Sequence, residues 1–226
     1  MTTALVTGAT RGLGREIARQ LVAAGHTVHV GARDEVRGRA VAEELGARAV
    51  ALDVTDDASV ASALAQVEAE GGLDLLVNNA GIAMAARNGP DALAVLDTNV
   101  AGIVRVTEAA LPLLRRAAQP VIVNISSALG SFAANHDPAH PASRVPAIVY
   151  GASKAAVSML TVQYARAEPG VVVVAVEPGY TATGLGGADH GGRPVEVSAG
   201  TVVRVAARVV HGPTGTFWEE DAERGW

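Results

Sequence analysis

Tyr150 and Lys154 stand four positions apart, separated by Gly151, Ala152 and Ser153, in a run whose helical periodicity continues through Met159 and Leu160. A spacing of four places both side chains on one face of a helix. An ammonium beside a phenol favours the phenolate, so a Tyr with an ordinary pKa of ~10 can exchange a proton near neutrality. The pair is therefore a candidate proton-transfer device. The same spacing also occurs on solvated helix faces, and what distinguishes the two readings is the rest of the chain.

Three other stretches carry groups suited to a ligand. Residues 4–6 form a short apolar strand running into Thr7-Gly8-Ala9-Thr10-Arg11-Gly12-Leu13-Gly14, after which Ile17, Ala18, Leu21 and Val22 mark one helix face. Strand, glycine turn and helix is the order a phosphate cradle requires, because the free amides and positive dipole of the helix start favour an anion. The strict G-x-G-x-x-G fingerprint is not met, since position 17 is Ile. Strand 73–77 ends in Asn78-Asn79-Ala80-Gly81, and strand 121–125 ends in Ser126 and Ser127. Asn and Ser at strand ends commonly form turns, but here they gather at the C-terminal edge of a parallel sheet, where ligands bind.

The elements that must position these groups alternate along the chain. Strand 27–31 is followed by Ala32-Arg33-Asp34, helix 35–46, strand 47–52 and Asp53-Val54-Thr55-Asp56, then helix 57–70. Asp53 is placed to meet an adenine, and Thr55 or Asp56 to cap the next helix. A long helix over 91–117 is interrupted near Asn99 and Gly102 and contains Pro112. Region 130–146 is the least regular, and Pro138 and Pro141 argue against the helix that His136 and His140 would need to share a metal, so it reads as a surface loop with no metal. The unbroken apolar, Val-rich run over 171–176 signals a central parallel strand, leading through Glu177-Pro178-Gly179-Tyr180-Thr181-Ala182-Thr183 into a glycine-rich stretch that reads as a lid over 180–193. A helix over 195–210 and a strand at 216–218 complete a doubly wound parallel sheet with helices on both faces and right-handed crossovers.

Composition agrees. The 226 residues carry a net charge of -5, with 49% hydrophobic but only 3% aromatic residues and a mean hydropathy of +0.26. Such a core must be built from Ala, Val, Leu and Ile, and one domain is expected at this length. No Lys/Arg-rich stripe offsets a phosphate backbone, which argues against nucleic acid as a partner. Cysteine is absent, and with it disulfides and thiolate metal sites. With no signal-peptide pattern and no apolar run long enough for a bilayer, the expectation is a cytoplasmic protein with no membrane partner.

Taken in order, these stretches resemble the short-chain dehydrogenase/reductase family over nearly the whole chain. Thr7 to Gly14 is similar to the family's Thr-Gly-x-x-x-Gly-x-Gly turn, and Asn78-Asn79-Ala80-Gly81 is identical to its fourth-strand motif. The resemblance implies a catalytic tetrad of Asn99, Ser127, Tyr150 and Lys154. It implies that Tyr150 exchanges a proton with a substrate oxygen while hydride passes to or from a nicotinamide. Ser127 would stabilise that oxygen, Lys154 would lower the Tyr pKa and hold the nicotinamide ribose, and Asn99 would anchor a water behind Lys154. Cofactor contacts are implied at Gly8, Thr10, Arg11, Gly12, Leu13, Gly14, Ala32, Arg33, Asp53, Val54, Asn79, Ala80, Gly81, Tyr150, Lys154, Pro178, Gly179, Thr181 and Thr183. The cofactor half would cover about 1–125, and the catalytic and substrate part about 126–226.

On spacing alone, Asp34 suggests NAD while Arg33 and Arg11 suggest NADP. The family's NAD-selecting position matches Ala32, so the resemblance implies a preference for NADPH/NADP+ with NADH/NAD+ possible. Ala32-Arg33-Asp34 and the Gly212-Pro213-Thr214-Gly215 ending resemble the carbonyl-reductase branch most. The expected activity is reduction of a ketone or aldehyde to an alcohol, the alternatives being an NAD-dependent alcohol dehydrogenase and a non-catalytic NADP sensor. Ser127 and Tyr150 lie further apart than is usual in the family, the extra residues forming an insertion over 130–146. That insertion bears on assembly, for which a homodimer is favoured over a monomer or tetramer.

Overall fold

A computed structural model describes residues 2–84, 86–183, 185, 191–220 and 222–226. Part of the expected lid, 184 and 186–190, lies outside the described residues, as does Ala85.

Short Val- and Ala-rich strands alternate with helices, and the strands collect into one eight-stranded sheet. In chain order they are β1 (Thr3–Thr7), β2 (Thr27–Ala32), β3 (Arg48–Ala51), β4 (Leu75–Asn78), β5 (Val121–Ile125), β6 (Val172–Glu177), β7 (Thr216–Glu219) and β8 (Ala222–Arg224). Their spatial order is β3-β2-β1-β4-β5-β6-β7-β8, and every pairing is parallel except β7 with β8. The sequence reading stopped at β7. The added strand is three residues long and largely polar, so it carries no alternation to reveal it.

Strand order reverses between β1 and β4, the place in such sheets where a crevice opens at the C-terminal edge. Register lines that edge up: Thr7 pairs with Gly31, Asn78 with Asn124, Ile125 with Val176, and Glu177 with Glu219. Every expected site residue that follows a strand thus emerges along one rim.

Side-chain alternation sends the strands' apolar residues to two cores. Ala4 and Val6 of β1 join Ile17 and Leu21 of α1 (Gly12–Ala23), Val41 of α2 (Glu35–Leu45) and Val202 of α8 (Val195–Arg208). Leu5 faces the other way, toward Val60 and Leu64 of α3 (Asp57–Ala69), Val106 of α5 (Gly102–Leu114) and Tyr164 of α7 (Ile148–Ala167). With few aromatics to fill space, these layers depend on close backbone approach by small residues, as where Gly102 meets Val54.

The expected long helix over 91–117 is two helices, α4 (Gly89–Leu96) and α5, joined by a π-helical turn at Asp97–Ala101. Asn99 sits in that turn, where the widened backbone aims it inward. The 130–146 insertion, expected as a loop, is ordered: it holds α6 (Phe132–His136) and a 3-10 turn at Pro141–Arg144. Ser131 caps α6 by accepting from Ala134 N at 3.1 Å. Ala133 N donates to Trp226 O at 3.0 Å, and His140 Nε2 lies 3.3 Å from Glu219 Oε1, so the insertion is fastened to the last strands.

Candidate active site

The site begins on α7. Lys154 is buried, and its Nζ donates to Ile125 O at the end of β5 at 2.7 Å while lying 5.6 Å from the centre of the Tyr150 ring. One helix face thus carries both groups to the rim of β5. The turn after β5 meets them there: a 3-10 turn at Ala128–Gly130 packs so tightly on α7 that a Cβ on Gly130 would stand 2.4 Å from Lys154 C and 2.5 Å from Ala155 N. Gly151 returns the contact, with its Cβ position 3.0 Å from Leu129 O. Both glycines escaped the sequence reading, because the approach they allow is between segments distant in sequence.

Electrostatics departs from the expectation for Tyr150. Burial drives the phenol's pKa up, the nearby Glu177 carboxylate drives it further, and only hydrogen bonding by Ser127 pulls it back. The phenol is therefore held protonated, while the Lys154 ammonium is bonded to the Ile125 carbonyl. Burial brings Lys154 itself down to about 8, opposed by Glu177.

Glu177 is the group that sequence reasoning missed. A Glu before Pro at a strand end reads as a surface charge, yet it is 7% exposed. Its Oε2 accepts from Ala128 N at 2.6 Å and its Oε1 from Gly179 N at 2.8 Å. The available signal was the period of two: Val173, Ala175 and Glu177 share one face of β6.

Asn99 is almost wholly buried, and its side chain clamps two segments together. Its Oδ1 accepts from Ile82 N at 2.8 Å, and its Nδ2 donates to Ile82 O at 2.9 Å and to Ser153 Oγ at 3.1 Å. The loop after β4 is thereby pinned to α7. Deeper in, Asn78 Nδ2 donates to Asn124 Oδ1 at 2.9 Å and Asn124 Nδ2 to Thr161 Oγ1 at 2.9 Å, tying β4, β5 and α7 below the rim.

Across the crevice lies the glycine turn. Thr7 Oγ1 accepts from Asn79 N at 3.0 Å and Ala80 N at 2.9 Å, while Asn79 Nδ2 donates to Thr7 O at 2.9 Å. Gly14 makes this possible, because a Cβ there would stand 2.3 Å from Asn79 Nδ2 and 2.7 Å from Gly8 O. Asp34 and Asp56 cap α2 and α3 by accepting from Arg37 N and Ser59 N, whereas Arg11 gives α1 no side-chain cap and no acidic residue occupies its first turn. The amides at the start of α1 are thus left for an anion, which fits the pyrophosphate of a dinucleotide.

The remaining expected contacts ring the same crevice. Arg11 and Arg33 are exposed, Ala32 is buried, and Thr10 and Leu13 flank the turn. Asp53 Oδ1 accepts from Thr55 N and Thr55 Oγ1; burial opposes its charged form, but the Thr55 bonds and nearby Arg33 prevail and hold its pKa low. Val54 is buried against Gly102, and Gly81 lies beside Asn99. Beyond β6, Pro178 is buried, Thr181 Oγ1 donates to Gly179 O at 2.7 Å, and the Thr183 methyl lies 3.4 Å from where a Cβ on Gly12 would be. Residues 178–183 therefore reach back over the glycine turn. His136 and Arg144 lie outside this ring, bonded to Phe132 O and Pro138 O within the insertion. Among the described residues no helix is long and apolar enough to cross a membrane.

Comparison with known proteins agrees with this arrangement. A family model described as short chain dehydrogenase matches residues 2–191. Sulfoacetaldehyde reductase 2 of Chromohalobacter salexigens is 39% identical over 193 residues, covering 79% of this chain and 72% of the relative. A 3-oxoacyl-[acyl-carrier-protein] reductase of Staphylococcus aureus is 37% identical, covering 78% and 73%. Among solved structures, NADPH-bound carbonyl reductase from chicken fatty liver superposes with a TM-score of 0.88 at 30% identity, covering 100% of this chain and 99% of that one. Carbonyl reductase Sniffer of D. melanogaster superposes with a TM-score of 0.85 at 25% identity over the full length of both. The chain belongs to the short-chain dehydrogenase family of NAD(P)-dependent oxidoreductases.

Proposed function

We propose that the protein reduces a ketone or aldehyde to an alcohol with NADPH, Tyr150 acting as the proton donor. The observation that carries this reading is the placement of Tyr150 and Lys154 on one face of α7 at the rim of β5, with Ser127 beside the phenol, where that phenol can give a proton to a carbonyl oxygen. When bound, the nicotinamide supplies the hydride that reaches the carbonyl carbon. Tyr150 releases its proton to the oxygen as charge develops there, and Ser127, next to Tyr150, donates a hydrogen bond to the same oxygen. The carbonyl gains a hydride at carbon from the first source and a proton at oxygen from the second, so one C–H and one O–H bond form, the Tyr150 O–H bond breaks, and the product is the alcohol. Lys154 holds the nicotinamide ribose hydroxyls, and the Asn99 turn holds a water behind it that returns a proton to Tyr150.

Gly8, Thr10, Arg11, Gly12, Leu13 and Gly14 receive the pyrophosphate, with Asn79, Ala80 and Gly81 behind them. Asp53 and Val54 meet the adenine, and Pro178, Gly179, Thr181 and Thr183 meet the nicotinamide half. Residues 1–125 then serve the cofactor and 126–226 the chemistry and substrate. NADPH is favoured because Ala32 offers no carboxylate to a free 2′-hydroxyl, while Arg33 and Arg11 are exposed at the same rim. The test is calorimetric titration with NADPH and with NADH, then loss of nicotinamide absorbance against a panel of ketones and aldehydes. Tighter NADPH binding with turnover of a carbonyl is expected; NADH preference with turnover only of alcohols would overturn the reading.

A further inference from the structure

Glu177 closes β6 with its side chain turned to the face that α7 covers. The two amides it accepts from belong to turns on neighbouring strands: Ala128 follows β5 and Gly179 follows β6. One carboxylate thus joins the turn that carries Ser127 to the Pro178–Gly179 turn. The charged and titratable groups facing it are Tyr150 and Lys154 from α7 and Glu219 from β7. Glu219 is itself engaged by His140 at 3.3 Å and Arg224 at 3.5 Å, and Arg193, which packs on Gly179, pairs with Glu220 at 3.6 Å.

We propose that Glu177 is a positioning residue for proton transfer, its carboxylate locking the Ser127 turn to the Pro178–Gly179 turn and supplying the counter-charge to the buried Lys154 ammonium. This rests on the activity proposed above. A buried ammonium with no carboxylate near it carries a large desolvation cost, and among the described residues the direct bond of Lys154 Nζ is to a neutral carbonyl. The same negative charge raises the Tyr150 pKa, and burial raises that of Glu177 itself against the bonds from Ala128, Gly179 and Ser127, so the help Glu177 gives to reduction lies in placing the Ser127 turn and in keeping Lys154 an ammonium. The two functions separate chemically. Glu177→Gln keeps the length but removes the charge and leaves one amide without an acceptor, whereas Glu177→Asp keeps the charge but is one methylene short of spanning both turns.

Lys154 is the only lysine in the sequence, which makes the test direct. Protein labelled with 15N and 13C at lysine gives a single side-chain amine signal, and its pH titration reports Lys154 without cofactor, substrate or turnover. The expected midpoint is about 8 in the unaltered protein. In Glu177→Gln it falls by about one pH unit, a tenfold loss of proton affinity, while Glu177→Asp stays near the unaltered value. Both variants lose ~10–100-fold in kcat for carbonyl reduction with KM nearly unchanged, because what shifts is the donor set aimed at the developing oxyanion. In Glu177→Gln the alkaline limb of the kcat profile also moves to lower pH. An unshifted lysine midpoint in folded Glu177→Gln overturns the counter-charge, and unaltered kcat in Glu177→Asp overturns the positioning. Absence of turnover in the unaltered protein, with the lysine titrating as stated, would instead refute the activity and leave the charge relation standing.

Discussion

Replacing Gly130 by Ala tests whether the tight seat of the Ser127 turn on α7 matters for chemistry. A Cβ there would stand 2.4 Å from Lys154 C and 2.5 Å from Ala155 N, both backbone atoms of a helix interior, so neither can swing aside. Ordinary contact begins near 3.4 Å, so the turn must retreat by ~1 Å. Overpacking of this kind costs roughly 1–3 kcal/mol. For a chain of this size that lowers Tm by about 2–12 °C. The kinetic effect is larger, because the retreat carries Ser127 off Tyr150, and a misplacement of ~1 Å costs up to ~100-fold in kcat. NADPH affinity should change little, since the glycine turn lies across the crevice. The assay is steady-state kinetics with calorimetric melting, and Gly170→Ala serves as a control because no atom lies within 4 Å of the Cβ it would add. A Gly130→Ala protein with unaltered kcat and Tm would refute the reasoning.

Two further outcomes follow from other parts of the structure. His29 is fully buried on β2 with neither ring nitrogen bonded, and burial lowers its pKa from 6.5. The unfolded chain therefore binds more protons than the folded one below that value, so the stability is fully present above pH 6.5 and is lost as pH falls, with a limiting slope of ~1.4 kcal/mol per pH unit. His29→Leu should raise Tm at neutral pH, by removing unmet polar groups worth ~1–3 kcal/mol, and flatten the decline on acidification; parallel curves for the two proteins would contradict this. Arg33→Ala should weaken NADPH by ~10–100-fold, the strength of one charge-assisted pair, and NADH by little, so equal weakening of both in calorimetry would remove the basis for the NADPH preference.

Local signals made the strands, the glycine turn and the shared face of Tyr150 and Lys154 legible from the sequence, because each is set by residues close together in the chain. The interruption at Asn99 was also visible as a polar residue in an apolar helix, although its form, a π turn bonded to Ile82 and Ser153, needs partners from elsewhere. What stayed hidden depends on long-range contact. Gly130 and Gly151 look like loop and helix glycines until β5 and α7 are brought together. Glu177 looks like a solvated charge until β6 is placed at the centre of the sheet with α7 over it. The insertion looked irregular because its helix is a single turn, held by the Ser131 cap and by Trp226 nearly a hundred residues later. The Tyr pKa went the other way for the same reason, since burial and a carboxylate at the end of β6, neither visible locally, drive it up.

The most direct test of the central claim is the turnover and cofactor affinity of Tyr150→Phe. Loss of a general acid removes ~100–10,000-fold of rate while leaving the rest of the site in place. The account predicts that carbonyl reduction falls at least that far while NADPH binds with nearly unchanged affinity. Reduction at the unaltered rate by Tyr150→Phe would show that the proton comes from elsewhere and would contradict it.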